Sequence, residues 1–282
     1  ILKVRQSAAE NTAENATGTA TRIATEIATE NSVELEVMRW SAWAPGLEDA
    51  PSWRAWAGGT KCISGEIKPD VRFVERLLRR RLSPLNRMAF RVAADCLEGD
   101  ETHPHSVFCS RYGEFSRAFE ILNNLVGEEP VSPMTFSLSV HNTASSLFSI
   151  MRQDTSHSTA LAAGEASLEA GFLECWTLLK ERVAPTALLV YCDQTLPEMF
   201  SAQENSVCDN AALAFLLRLP EVEESQALSL SWCSSRNNPS GVMRAADNSA
   251  LRVLKLLLTG GEPIASNFGR LTWEWKCDGA AV

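Results

Sequence analysis

The chain has 282 residues, 45% of them hydrophobic and 22% charged, enough for one large globular domain or two small ones with a sizeable core. A net charge of -9 and a pI near 5.1 argue against a general nucleic-acid binder, whose affinity rests on phosphate contacts from a basic surface. No stretch approaches the roughly 20 apolar residues of a membrane-spanning helix, and the N-terminus lacks the apolar core of a signal peptide, so the cytoplasm is the expected location.

Residues 1–33 are rich in Ala, Thr, Glu and Asn, and ATRIATEIATE is nearly repetitive. With so few large side chains to bury, they are expected to be a disordered or weakly helical leader ahead of a domain at 34–282. The first residue is Ile1, which leaves a fragment, a processed product and an upstream read-through open. From Val33, VELEVMRWSAWAPG alternates as a strand does and ends in a Pro-Gly loop. Trp40, Trp43, Trp53 and Trp56 follow closely and are expected to pack a loop and short helix onto the sheet.

Residues 70–98 read as two helical pieces broken before Pro84, with Ser83 placed to cap the second. They hold a basic patch, Arg72, Arg76, Arg79, Arg80, Arg81 and Arg87, on an acidic chain. Next, SVFCSRYG (106–113) reads as a core strand ending in a Gly turn, followed by a helix at 114–126. The segment SPMTFSLSVHNTASSLFSIM, with Pro133 and Asn142 in it, spans 132–151.

Residues 155–195 then read as strand, tight turn, long helix, strand. Ser158–Ala163 is a short run of mostly small residues suited to a buried strand, and Gly164 marks a sharp turn. From Glu165, Leu168, Phe172, Leu173, Trp176 and Leu179 recur at helical spacing until Pro185, and TALLVYC (186–192) is an apolar strand. A helix between two strands implies a parallel pair with a right-handed crossover. Glu165 falls at the first helical position, where the N–H groups and helix dipole favour negative charge.

Beyond it, 209–219 and 226–233 read as antiparallel neighbours joined by the acidic EVEES, and RNNPSG (236–241) as a loop. An amphipathic helix at 248–259 ends at Gly260-Gly261, and alternating Leu271, Trp273, Trp275 and Cys277 mark a final strand. The eight cysteines are dispersed among apolar segments without a C-x-x-C pair, which suits reduced, buried thiols. His103, His105 and Cys109 have Pro104 between the histidines and no evident fourth ligand, so neither a metal site nor a cofactor is expected.

The order of elements around Glu165 resembles the N-terminal half of a β-ketoacyl synthase, a thiolase-like fold. The segments at 84–98, 106–113 and 132–151 are similar to those preceding the synthase nucleophile. The resemblance implies an α/β, layered α-β-α half with a mixed five-stranded sheet. In such enzymes an acyl-accepting cysteine occupies the turn, its thiolate favoured by the helix N-terminus. Laid along the synthase pattern without a gap, Asn142 meets the asparagine of a preceding helix, and Glu165, after Gly164, meets the nucleophile.

A carboxylate cannot replace a thiolate in thioester exchange, so no catalytic residue is expected. That departure resembles the chain-length factors of type II polyketide systems, in which glutamine usually stands at this place. WSAWAPG, FSLSVHN and ALAAGEAS resemble a small bacterial family of such proteins found with aryl-polyene or related pigment pathways. The resemblance implies a non-catalytic subunit in a heterodimer with a ketosynthase, pairing through the strand near 155–162. It also implies contact with an acyl carrier protein, for which Arg79, Arg80 and Arg81 are the candidates.

His141 reads as a core or interface histidine, because the activating histidines of synthases come from the second half of that fold. Two alternatives stay open. One is an acyl-thioester decarboxylase or hydrolase using Glu165 as a base near His141 or His157. The other is a carrier-binding module built on the arginines. A glutamate in a first turn is also a common structural choice.

Overall fold

The alternating run after Asn31 becomes β1 (Ser32–Trp43), a strand long enough to serve two neighbours. Its first part, Ser32–Glu36, pairs antiparallel with β6 (Ala227–Ser234), and Glu36–Trp43 pairs antiparallel with β5 (Ala211–Arg218). A bulge between Val37 and Arg39 marks the change of partner. The computed structural model describes residues 31–99, 102–182, 184–197, 199–200, 210–221, 226–234 and 248–278. Residues 1–30 of the expected leader, Asp209, most of EVEES and the RNNPSG loop lie outside the described residues.

Two short helices follow β1: α1 (Ala50–Ala57), capped by Asp49, and α2 (Arg76–Arg79). Trp53 of α1 is fully buried and its indole N–H donates to Ala42 O at 2.8 Å, which fastens the helix to the sheet as its aromatic content suggests. Helix α3 (Pro84–Cys96) starts where expected, with Ser83 Oγ accepting from Asn86 N and Pro84 in the first turn. Strand β2 (His105–Cys109) leads into α4 (Phe115–Val126), then α5 (Pro133–Ser137) and α6 (Thr143–Arg152). The central unit is β3 (Ser158–Leu161), a 3-10 turn at Gly164–Ala166, α7 (Ser167–Lys180) and β4 (Ala187–Asp193). The C-terminal part is α8 (Ser249–Thr259) and a hairpin of β7 (Ile264–Phe268) and β8 (Leu271–Asp278).

Among the described residues the strands join one sheet in the order β3-β2-β4-β5-β1-β6-β8-β7. It is mixed, because β2 runs parallel to β3 and β4 while every other pair is antiparallel. The layered α/β architecture is the one expected, but the sheet has eight strands rather than five: β6, β8 and β7 extend it beyond β1. Three local expectations also give way. Strands β5 and β6 are not neighbours, since each takes an edge of β1 and they run in the same direction. Strands β3 and β4 are parallel as inferred, but β2 lies between them. The α-helix begins at Ser167, so Glu165 sits in the 3-10 turn before it.

Helices cover both faces. Leu168 and Phe172 of α7 and Leu254 of α8 share one core with Leu189 and Trp275. Met88 and Phe90 of α3 and Phe148 of α6 share the other with Leu188 and Val190. Strand β4 therefore buries both faces, which explains its unbroken apolar run, and each such Leu or Phe contributes about 1.5–3 kcal/mol. Gly171 lets α7 lie close on the sheet: a Cβ there would collide with the Cys109 thiol and with Leu189.

Candidate functional site

The C-terminal ends of parallel strands are where open α/β sheets present loops and helix N-termini, and here they converge on the turn after β3. Gly164 adopts φ +61, a left-handed conformation that glycine takes without strain. Ser167, fully buried, closes the turn: its hydroxyl donates to Gly164 O at 2.7 Å and accepts from Ala163 N at 3.0 Å. The Glu165 side chain is left 36% exposed, with Oε1 3.5 Å from Arg111 Nη2. The same guanidinium lies 4.8 Å above the Tyr112 ring.

Arg111 is presented by a pinned loop. Asp193, at the end of β4, is 1% exposed. Its Oδ1 accepts from Ser110 Oγ and from Arg111 N, both at 2.8 Å, and its Oδ2 accepts from the Tyr191 hydroxyl at 2.6 Å. Gly113 N donates to Ser110 Oγ at 2.8 Å. Burial pushes the Asp193 carboxyl above the usual range, and the donors from Tyr191, Ser110 and Arg111 oppose that shift.

His141 docks against this loop. Its Nε2–H donates to Leu161 O at 3.0 Å, and a Cβ on Gly113 would come 2.5 Å from its Nδ1. The histidine is thus a bracket between α6 and the end of β3, committed to one tautomer while neutral. Asn142 is exposed and makes no side-chain cap, although its carbonyl accepts from Ser146 N at 3.0 Å. His157 precedes β3 whereas Glu165 follows it, so the length of the strand separates them.

Cys109, Cys175 and Cys192 are buried, and burial raises all three thiols above their ordinary value. Among the described residues, no group of three His, Cys, Asp or Glu side chains is arranged to hold a metal ion. No helix there is long and apolar enough to cross a membrane.

The basic segment is only partly a free surface. Arg72 is paired with Asp70 at 2.6 Å. Arg87 donates to Leu82 O and Arg79 O, and Arg117 to Arg81 O, so two arginines are used to hold the segment. Arg80 and Arg81 are exposed and Arg79 half-buried, beside exposed Phe73 and Leu77. Arg111, Asp193 and Ser167 were not legible as site residues in the sequence. The only signal was a charge closing an apolar strand, as Asp193 closes TALLVYC.

Residues 53–276 match the family model described as beta-ketoacyl synthase, N-terminal domain. Among solved structures, one similar chain is in the complex of the ketosynthase ApeO with its chain length factor ApeC from Xenorhabdus doucetiae. The TM-score is 0.72 at 25% identity, covering 86% of this chain and 99% of that one. The fold also matches the ishigamide ketosynthase/chain length factor, with a TM-score of 0.58 at 14% identity over 73% of this chain and 69% of that one. A beta-ketoacyl synthase from Burkholderia phymatum STM815 gives 0.54 at 12% identity over 75% and 67%. No curated protein matches the chain by sequence. With the family model spanning most of the chain and the thiolase-like fold shared with these structures, the chain belongs to the β-ketoacyl synthase N-terminal domain family.

Proposed function

We propose that the chain is a non-catalytic, chain-length-factor-like partner of a ketosynthase in fatty-acid or polyketide chain elongation of the aryl-polyene kind. The observation that carries this reading is the turn after β3, where Glu165 lies 3.5 Å from Arg111; the ungapped sequence pattern supports reading that position as the one a synthase gives to its cysteine. Carboxylates do not exchange acyl thioesters, and the buried thiols nearby, disfavoured as thiolates, are poor substitutes. The match to nearly the whole of one chain in a ketosynthase and chain length factor complex supports the same reading. The partner would cover a surface that is otherwise costly to expose. Among the described residues no strand pairs with the outer edge of β3. Leu122, Leu125 and Val126 of α4, with Met134, Phe136 and Val140, leave large apolar side chains in solvent.

Under this reading Glu165 fills the vacated nucleophile site, and the chain bounds the growing acyl chain without a covalent step. Arg79, Arg80 and Arg81, with Phe73 and Leu77 beside them, form the docking face for an acidic acyl carrier protein.

The test is elongation by the complex with the ketosynthase encoded nearest to this chain. Glu165→Ala should leave the condensation rate within about twofold, whereas replacing the synthase's own cysteine abolishes it. Changing Arg79, Arg80 and Arg81 to Ala should raise KM for the carrier about tenfold and weaken its salt dependence. Thioester turnover by the purified chain alone, lost in Glu165→Ala, would instead make it an enzyme.

A further inference from the structure

Three of the four histidines gather at the end of β3 opposite Glu165, next to the edge where the proposed partner strand would add. His105, the first residue of β2, and His157, which directly precedes β3, stack with ring centroids 5.4 Å apart and planes 24° from parallel. His157 is exposed, and its Nε2 lies 3.1 Å from Thr159 Oγ1, which in turn donates to Glu174 Oε1 of α7 at 3.3 Å. His105 is half-buried and its Nδ1 has no hydrogen-bond partner among the described residues. Around the pair, Asp154 holds His103 at 3.2 Å, and Arg152 of α6 donates to Thr102 O at 3.0 Å. On β4 the residue facing His105 is Ala187, which brings no charge.

We propose that the stacked His105–His157 pair makes association along the β3 edge sensitive to pH, holding the partner at neutral pH and releasing it on acidification. This rests on the proposed ketosynthase pairing along that edge.

Two effects act in the same direction. A second proton on stacked rings places like charges face to face. A partner strand laid beside Ser158 would also take His157 out of water, and desolvation disfavours the charged imidazolium. The fold already shows the first effect, since burial and then His157 lower the His105 value, with Asp154 opposing. Asp154 is already engaged by His103, and Glu174 reaches His157 only through Thr159, so neither carboxylate directly neutralises the second charge. A group whose protonated form is disfavoured in the complex weakens that complex as pH falls through the imidazole range.

The experiment measures affinity for the co-expressed ketosynthase at about pH 7.5 and about pH 5.5. The parent should bind about fivefold more weakly at the lower pH, as a downward shift of about one unit in a single imidazole on association gives over this range, and His157→Gln should reduce that ratio to below about twofold. A ratio that is absent, or unchanged in His157→Gln, overturns the proposal and leaves the pairing standing. No complex at either pH overturns both. An imidazole titration of the chain alone, by NMR, provides the second readout: His105 should titrate at higher pH in His157→Gln, and an unmoved midpoint contradicts the coupling.

Discussion

Gly171 sets the separation of α7 from the sheet, because any side chain there meets the Cys109 thiol and the Leu189 side chain from β2 and β4. Gly171→Ala should therefore destabilise the chain by about 1–3 kcal/mol, read as a lower urea midpoint at unchanged slope, although alanine is the better helix former. A neutral or stabilising result would show that α7 can lift away without cost. At this scale the sequence was legible only where one residue type has one reason to be present. Gly164 announced a sharp turn, which the fold makes left-handed, and Ser83 before Pro84 announced a cap. Arg111 and Asp193 stayed hidden because their role depends on a partner 82 residues away, and no periodicity encodes that.

The element that carries Glu165 is tied to the C-terminal part of the chain by a buried carboxylate one turn further on. Glu169 of α7 is fully buried, and its Oε1 accepts from Ser249 Oγ of α8 at 2.7 Å and from Trp275 Nε1 of β8 at 3.0 Å. Trp275 also packs edge-on against Phe172 at 4.8 Å. Burial raises the Glu169 carboxyl above its ordinary 4.5, with the Trp275 and Ser249 donors opposing. A carboxyl raised in the fold binds more protons there than in the unfolded chain, so stability falls as pH rises from about 4.5 through the folded value. Glu169→Gln keeps an acceptor for both donors and cannot ionise. It should match or exceed the parent at neutral pH and lose that slope. Glu169→Leu strands both donors and should cost about 1–3 kcal/mol. Equal stability of the two variants would mean that the contact is not a clamp. The elements themselves were largely readable, since most helices and strands follow their apolar spacing. Their order was not: β5 and β6 look like a hairpin because they are consecutive, yet the length of β1 lets it separate them.

On the scale of the whole molecule, the sheet carries the thiolase-like half and continues through β6, β8 and β7, so the C-terminal part adds to the core that α7 forms with the sheet. In the proposed reading, the β3 edge and the apolar α4 face, uncovered among the described residues, are the surfaces that a partner subunit would cover. The family was legible from short motifs in the right order. The proposed partner rests on the resemblance alone, because an uncovered edge does not say which subunit, if any, covers it. The central claim is tested most directly by the mass in solution of this chain alone and after co-expression with the ketosynthase encoded nearest to it, by size exclusion with light scattering. The account predicts a stable one-to-one complex, with the chain insoluble or self-associating when alone. A well-behaved monomer that ignores the synthase would contradict it.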